Sequence, residues 1–293
     1  DLDETDAITL TDVDTNDGTI TVDAGGALTV TDVASGTNGN IVLSTSSGDI
    51  TGLATVNAGS GNVTLNSAGA IVDDGSSGTV ITGGVLTADA AGGITIDSTV
   101  TSANISTSAA GAVDLDETDA ITLTDVDTND GSITVDAGGL ITATDVVASG
   151  GSGDSVTLST TTGGAVATLV TGADAVSITA NAGDITIGSV TATAGTLGVT
   201  ATAGSINDAA DDNTADFTAG GLITLTAQDE IGVLGSGSDL DLEFAAGSSV
   251  NVSTTGTGAI DLDGLGALTL SDVDTVNGAI TASSAGALTV TDV

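Results

Sequence analysis

The sequence predicts an all-β chain, a parallel β-helix (β-solenoid), and three observations carry that reading. A seven-residue phrase returns after twenty residues, as AITLTDV at 7–13 and ALTVTDV at 27–33. Apolar residues fall in short runs that alternate with Thr, Ser and Asp, the period of a strand buried on one face. Gly, 43 of 293 residues, recurs with Asn and Asp between those runs as turn punctuation.

Each period opens with a strand such as TITVD (19–23), passes an AGG turn (24–26), runs a second strand ALTVTDV (27–33) and enters a longer polar loop. Ile8 and Leu10 point one way and Thr9 and Thr11 the other. A two-stranded unit buries its apolar side only by stacking on the next unit, which pairs the backbones and aligns the Val, Ile and Leu side chains. An antiparallel sandwich also has short strands and regular turns, but its strands have no reason to repeat at one-coil distance. Right-handed connections are the default between parallel strands.

A longer repeat sets the count. Residues 1–33 match 114–146 at 29 of 33 positions and 261–293 at 21 of 33. Strand starts at Ile20, Ile41, Val63, Val80, Ile94, Val113, Ile133, Val156, Val176, Leu197, Leu222, Leu240, Ile260 and Ile280 give about 14 coils of about 20 residues. They are expected to form one buried column in a single continuous solenoid over 1–293.

Composition narrows the function. The chain has 40 Asp plus Glu and no Lys, Arg or His, so nothing in it can pair those acids. Mean hydropathy of +0.39 and a 40% apolar content argue for a folded chain. Phe217 and Phe244 are the only aromatics, which suits thin uniform layers rather than an irregular globular core. Nucleic acid and anionic membrane surfaces are excluded as direct partners, since both are bound through Lys and Arg. No apolar run reaches the roughly 18 residues of a membrane span. The start at Asp1 reads as a mature, processed or partial chain.

The phrases GTITVDAGGALTV, GNIVLSTSSGDITGL and NAGDITIGSVTATAGTLGVTATAGSI resemble the repeats of filamentous-haemagglutinin-type exoproteins and related giant bacterial β-strand-repeat surface proteins. The resemblance covers nearly the whole chain. It implies a β-helical rod, secreted or held at the cell surface, that serves in adhesion, biofilm or filament formation. This sequence departs from the family in lacking an N-terminal secretion domain and any basic residue.

One local motif points to chemistry. The loop TDVDTNDG at 11–18 recurs at 124–131 and as SDVDTVNG at 271–278. Asp12, Asp14, Asn16 and Asp17, with Asp125, Asp127, Asn129 and Asp130 in the second copy, space oxygen ligands over a Gly-ended turn, as calcium loops do. The bland reading is that Asp and Asn satisfy local backbone N–H groups at a corner. Stacking would also set Asp12 over Asp32, Asp125 over Asp145 and Asp272 over Asp292.

Outward Thr pairs at 9–11, 19–21, 29–31 and 224–226 suit a solvated β-face as well as the ordered arrays of ice-binding solenoids. Paired carboxylates meet the formal need of glycoside hydrolysis, but the chain lacks the cations and aromatics such sites use. Asn62, Asn104 and Asn251 head N-x-S/T sequons. The function expected is a non-enzymatic structural segment of an extracellular fibre, stalk or adhesin shaft, whose partner is itself, end to end or in a longer chain. The alternative is a calcium-dependent module that binds carbohydrate, such as surface glycans, or a neighbouring cell.

Overall fold

The computed structural model describes residues 1–76, 78, 80–210, 212–232, 239–244 and 248–293. Its described elements are all β-strands, stacked in parallel as a β-solenoid of about 13 turns with roughly 21 residues per turn. Contacts group the chain into two compact units, residues 1–137 with 148–150, and residues 138–147 with 151–293.

In the first unit the repeat distance and the ladder agree at the outset. Ile8, Thr9 and Leu10 pair with Leu28, Thr29 and Val30, and Val13 pairs with Val33. The inward positions are sealed: Ile20, Val22, Leu28 and Val30 are 4, 1, 0 and 0% exposed. Each turn has a straight side, such as Ile41–Thr45, and a side broken in two, such as Ile50–Leu53 followed by Thr55–Asn57. The sequence pattern runs the second strand unbroken through 27–33, whereas the structure breaks it into Leu28–Val30 and Asp32–Ala34. The single apolar residue of the second piece, Val33 or Val56, is fully buried and makes it a strand.

The expected single column is in fact two ladders. One runs Ile20, Ile41, Val63, Leu86, Ala103 and Leu123. The other runs Ile8, Leu28, Ile50, Ile71, Ile94, Val113 and Ile133. Ile20 and its copy Ile133 therefore belong to different ladders. The 113-residue offset spans five and a half turns rather than six, so the repeated block returns half a turn out of phase.

The change of phase is made at Ile81–Ala90 and the 17-residue strand Ile94–Ala110, where one turn shortens to 17 residues. There the straight and broken sides exchange. Val80, expected beside Val63, yields that place to Leu86.

In the second unit one ladder runs Val156, Val176, Leu197, Ile223, Val250 and Leu270. Ile223 replaces the expected Leu222, and Leu240 lies on a different ladder, beside Leu262. A second ladder carries Ile185, Ile206, Ile231, Ile260 and Ile280. The third stacks Val190, Phe217, Leu242 and Gly264. Phe217 is fully buried, and two turns along the same file Gly264 lies where a Cβ would come within 2.8 Å of the Leu268 side chain.

Corners reuse one device. A Thr hydroxyl at the strand end donates to the carbonyl of a Gly three or four residues on: Thr45 to Gly48 at 2.9 Å, Thr254 to Gly258 at 3.0 Å, Thr275 to Gly278 at 2.9 Å. The bond satisfies a carbonyl that the ladder leaves over as the chain turns. Gly is required because turns pass close together. A Cβ on Gly278 would lie 1.8 Å from the Gly258 carbonyl oxygen, and one on Gly258 would lie 1.9 Å from that of Asp229.

Two outcomes follow for stability. Ile133, 0% exposed, replaced by Asp would bury an unpaired carboxylate, a loss on the order of 3–5 kcal/mol. Its circular-dichroism melt should fall well below wild type, and an unchanged melt would contradict the ladder. Gly258→Ala should cost roughly 1–3 kcal/mol in urea unfolding, whereas Gly198→Ala, where a Cβ meets nothing within 4 Å, should cost much less.

Candidate functional site

The acidic loop expected to hold calcium is built differently in its copies. In the first, Asp12, Asp14, Asn16 and Asp17 are exposed around a bend. Asp17 takes a left-handed φ of 73°. Its Oδ1 accepts from the Thr37 backbone N–H at 2.7 Å, the Thr37 hydroxyl at 2.6 Å and the Asn38 N–H at 3.3 Å, all one turn on. Those donors hold the Asp17 carboxyl below its ordinary value. For Asp17, then, the backbone-satisfying reading describes the geometry: the side chain clamps one corner to the next. Asp14 goes the other way, pushed up by desolvation and by the charges of Asp12 and Asp32.

In the second copy Ile121–Asp130 is one strand. Asp125 and Asp127 pair with Asn104 and Ser106. They sit two residues apart along an extended chain, so they step along its outer side rather than curl round a centre. Asn129 and Asp130 are exposed at its end. The same letters thus bend in one turn and run straight in another, following the half-turn change of phase.

Among the described residues, two groups of three acids bring carboxylate oxygens within 4.8 Å of one another: Asp1, Asp3 and Asp23, and Asp239, Asp241 and Asp263. None of the six aspartates of the two acidic loops is in either. The first group is fully exposed, but the second is half-buried to buried.

This second group stands where two turns are long. Leu197 to Ile223 and Ile223 to Val250 are 26 and 27 residues apart, against 20 from Val156 to Val176. The extra length falls in 207–216 and 232–239, after the Ile206 and Ile231 positions of the ladder. Asp216 ends the first insertion and Asp239 ends the second. The Asp216 N–H donates to the Asp241 carbonyl at 3.0 Å, and the Asp241 N–H donates back to Asp216 Oδ2 at 2.8 Å. In the next turn Asp241 pairs with Asp263.

Asp216 and Asp241 are each only 3% exposed. Burial first, then the charges of Asp208 and Asp241, push the Asp216 carboxyl up to about 8, against the pull of the Asp241 N–H. Burial thus favours the protonated form of Asp216, beside the Asp208 side chain. Burial, then Asp239, Asp263, Asp208 and Asp212, pushes Asp241 up to about 6. Such a nest can hold protons or a hard cation. Strand alternation hides it from the sequence, because Asp241 is on the outward side of Leu240–Phe244 and would be solvated in a turn of ordinary length. The excess length of those two turns was the available signal.

Shallow grooves also lie along the corners. One, of about 300 Å³, is lined by residues including Asp3, Glu4, Asp23 and Ser46. Another, of about 300 Å³, is lined by residues including Thr191, Thr218, Glu243 and Phe244. Their polar groups are hydroxyls and carboxylates, and the chain has no His, Lys, Arg or Cys to act beside them.

A further buried acid lies in the first unit. Glu117, 4% exposed, stacks on Ser98. Its Oε2 accepts from the Ser98 hydroxyl at 2.7 Å and the Val100 N–H at 3.0 Å, and its Oε1 from the Asp119 N–H at 3.1 Å. Its copy Glu4 is half-exposed and accepts from the neighbouring Thr5 and Asp6 N–H groups.

No protein-family model, curated protein or solved structure matches the chain.

Glu117 supplies a pH test. Burial raises its carboxyl above the ordinary 4.5, and its three donors only partly offset that. A carboxyl raised by folding stabilises fully below its unfolded value, and that contribution is lost as pH rises through the folded value. Glu117→Gln should therefore narrow the gap in melting temperature between about pH 4 and about pH 8. An equal gap in variant and wild type would contradict the buried placement.

Proposed function

We propose that this chain is a structural segment of an extracellular surface fibre, stalk or adhesin shaft of the filamentous-haemagglutinin type, extended end to end by more of the same fold. One observation carries the reading: apolar burial and backbone pairing run from turn to turn, so each turn is completed by the turns stacked on it. The third copy of the block supports it. Ile280 and Ala282 are half-buried, and Leu288 and Val290 are 45 and 51% exposed. The same positions in the first copy, Ile20, Val22, Leu28 and Val30, are sealed by the turn that follows.

A further turn on residues 280–290, from the same polypeptide or another copy, would remove that apolar surface from water at roughly 25 cal/mol per Å². Open strand edges direct such addition along the stack. A net charge of −40 opposes side-by-side contact, more weakly in salt. The extracellular setting rests on the resemblance of the repeats to exported surface proteins.

Electron microscopy of purified protein should show thin fibres with an axial strand spacing near 4.8 Å, increasing with added salt. Isolated particles at every protein and salt concentration would count against self-association. A longer natural polypeptide whose adjoining segments are unrelated to a solenoid would count against a shaft.

A further inference from the structure

We infer that the edge at 280–290 takes as its next turn the edge at 1–10 of a second copy of this chain, in one register, with Ser284 on Glu4 and Leu288 on Ile8. The inference rests on the fibre reading and names the partner and the contact by which it extends.

The first unit already contains this junction in its interior. Residues 1–18 repeat 114–131 without a change, and the strand ITASS at 280–284 matches ITIDS at 94–98 in its first two residues and its last. Inside the first unit those two sequences lie on successive turns: Thr95 pairs with Asp114, Ile96 with Leu115, Asp97 with Asp116 and Ser98 with Glu117. The corresponding contacts between copies set Thr281 on Asp1, Ala282 on Leu2, Ser283 on Asp3 and Ser284 on Glu4.

The two edges stay in step along the rest of the turn. Leu268, Thr269 and Leu270 pair with Leu288, Thr289 and Val290, and Ile8, Thr9 and Leu10 pair with Leu28, Thr29 and Val30, so the turn at each edge repeats after the same 20 residues. That offset, carried on from Ser284 and Glu4, puts Leu288 on Ile8 and Val290 on Leu10. Apolar residues thus meet at each inward position. Leu2, Leu288 and Val290 are exposed, whereas Leu115 and Ile121, the interior copies of Leu2 and Ile8, are 0 and 2% exposed.

The polar side matches too. Asp3 pairs with Asp23 in the first unit, but the residue of the last turn that corresponds to Asp23 is Ser283. Its hydroxyl would stand between Asp263, to which it donates at 2.5 Å, and Asp3 of the second copy. Ser106 stands in the same way between Asp89 and Asp127. Glu4 would gain what Glu117 has. The Ser98 hydroxyl donates to Glu117 at 2.7 Å, and Ser284, which at the open edge donates to the Gly266 carbonyl at 2.7 Å, supplies the equivalent hydroxyl. The third copy of the block also has Gly264, Gly266 and Asn277 where the first has Glu4, Asp6 and Asp17. The edge that meets the acids of residues 1–17 therefore carries fewer of its own. Asp292 still comes over Asp12, so added salt should tighten the contact.

Disulfide trapping between full-length copies reads this register. Thr9 and Thr289 are both exposed, and paired strands lie about 4.7–4.9 Å apart, within the reach of a disulfide. Thr9→Cys mixed with Thr289→Cys in salt and oxidised should give a covalent dimer, mapped to that pair by mass spectrometry. Thr11→Cys mixed with Thr289→Cys, two residues out of step, should give little or none. Leu288→Asp, at an exposed position that leaves the fold intact, should keep the wild-type melt. In sedimentation it should weaken association roughly tenfold or more, since the contact would bury its unpaired carboxylate. Fibres that form without the 9–289 cross-link, or that persist in Leu288→Asp, would overturn this register and leave end-to-end extension standing. Failure to associate at every salt concentration would overturn the inference and confine the fibre reading to a longer polypeptide. A natural polypeptide that continues the solenoid past 293 would give this edge to its own next turn, and would overturn the inference as well.

Discussion

The parallel backbone ladder between successive turns is the constraint on which everything else in this molecule rests. A parallel, in-register ladder sets a residue over its counterpart one turn away, so an inward Ile must be followed inward by something apolar. Corners must also pass each other, which excludes a Cβ at Gly258 and Gly278. Polar groups left by the turning backbone are met locally, as the Thr45, Thr254 and Thr275 hydroxyls do. Uniformity from turn to turn also explains a core made with almost no aromatic side chains.

The same constraint governs the acids. Stacking puts Asp97, Asp116 and Asp136 in one file, and Asp116 is raised by burial and by these neighbours. Elsewhere a hydroxyl is interposed: the Ser106 Oγ–H donates to Asp89 Oδ1 at 2.5 Å between Asp89 and Asp127. Water, hydroxyls and backbone N–H groups thus take the place that basic side chains fill in other proteins. Around Asp241, 3% exposed, the acids of adjacent turns crowd closest, with carboxylate oxygens of Asp239, Asp241 and Asp263 within 4.8 Å of one another.

Much of this was legible in the letters, for a physical reason. Period-two alternation around Ile20, Val22, Leu28 and Val30 reports burial directly, and the twenty-residue echo reports stacking. Rotational phase was not legible, because the block at 1–33 and its copy at 114–146 satisfy either side of a turn equally well. Their alternation says which side chains point inward, not which ladder they join. The short strand at Thr55–Asn57 was missed because one buried Val among polar residues makes no pattern. Asp241 was missed because alternation along Leu240–Phe244 puts it on the outward side, where the sequence pattern expects water, yet the structure leaves it 3% exposed.

The ladder's register at the change of phase is the most exposed part of this account, and disulfide trapping tests it in a chain with no native cysteine. Thr64 is paired with Thr87, and both are half-buried on the outward side of their strands. Adjacent strands lie about 4.7–4.9 Å apart, within the Cα separation that a disulfide spans. A Thr64→Cys, Thr87→Cys double variant, oxidised and mapped by mass spectrometry, should be cross-linked within the monomer. A Thr64→Cys, Ile81→Cys variant, the pair that a single column through Val63 and Val80 would create, should remain reduced. Cross-linking of the second pair and not the first would contradict this register at the change of phase.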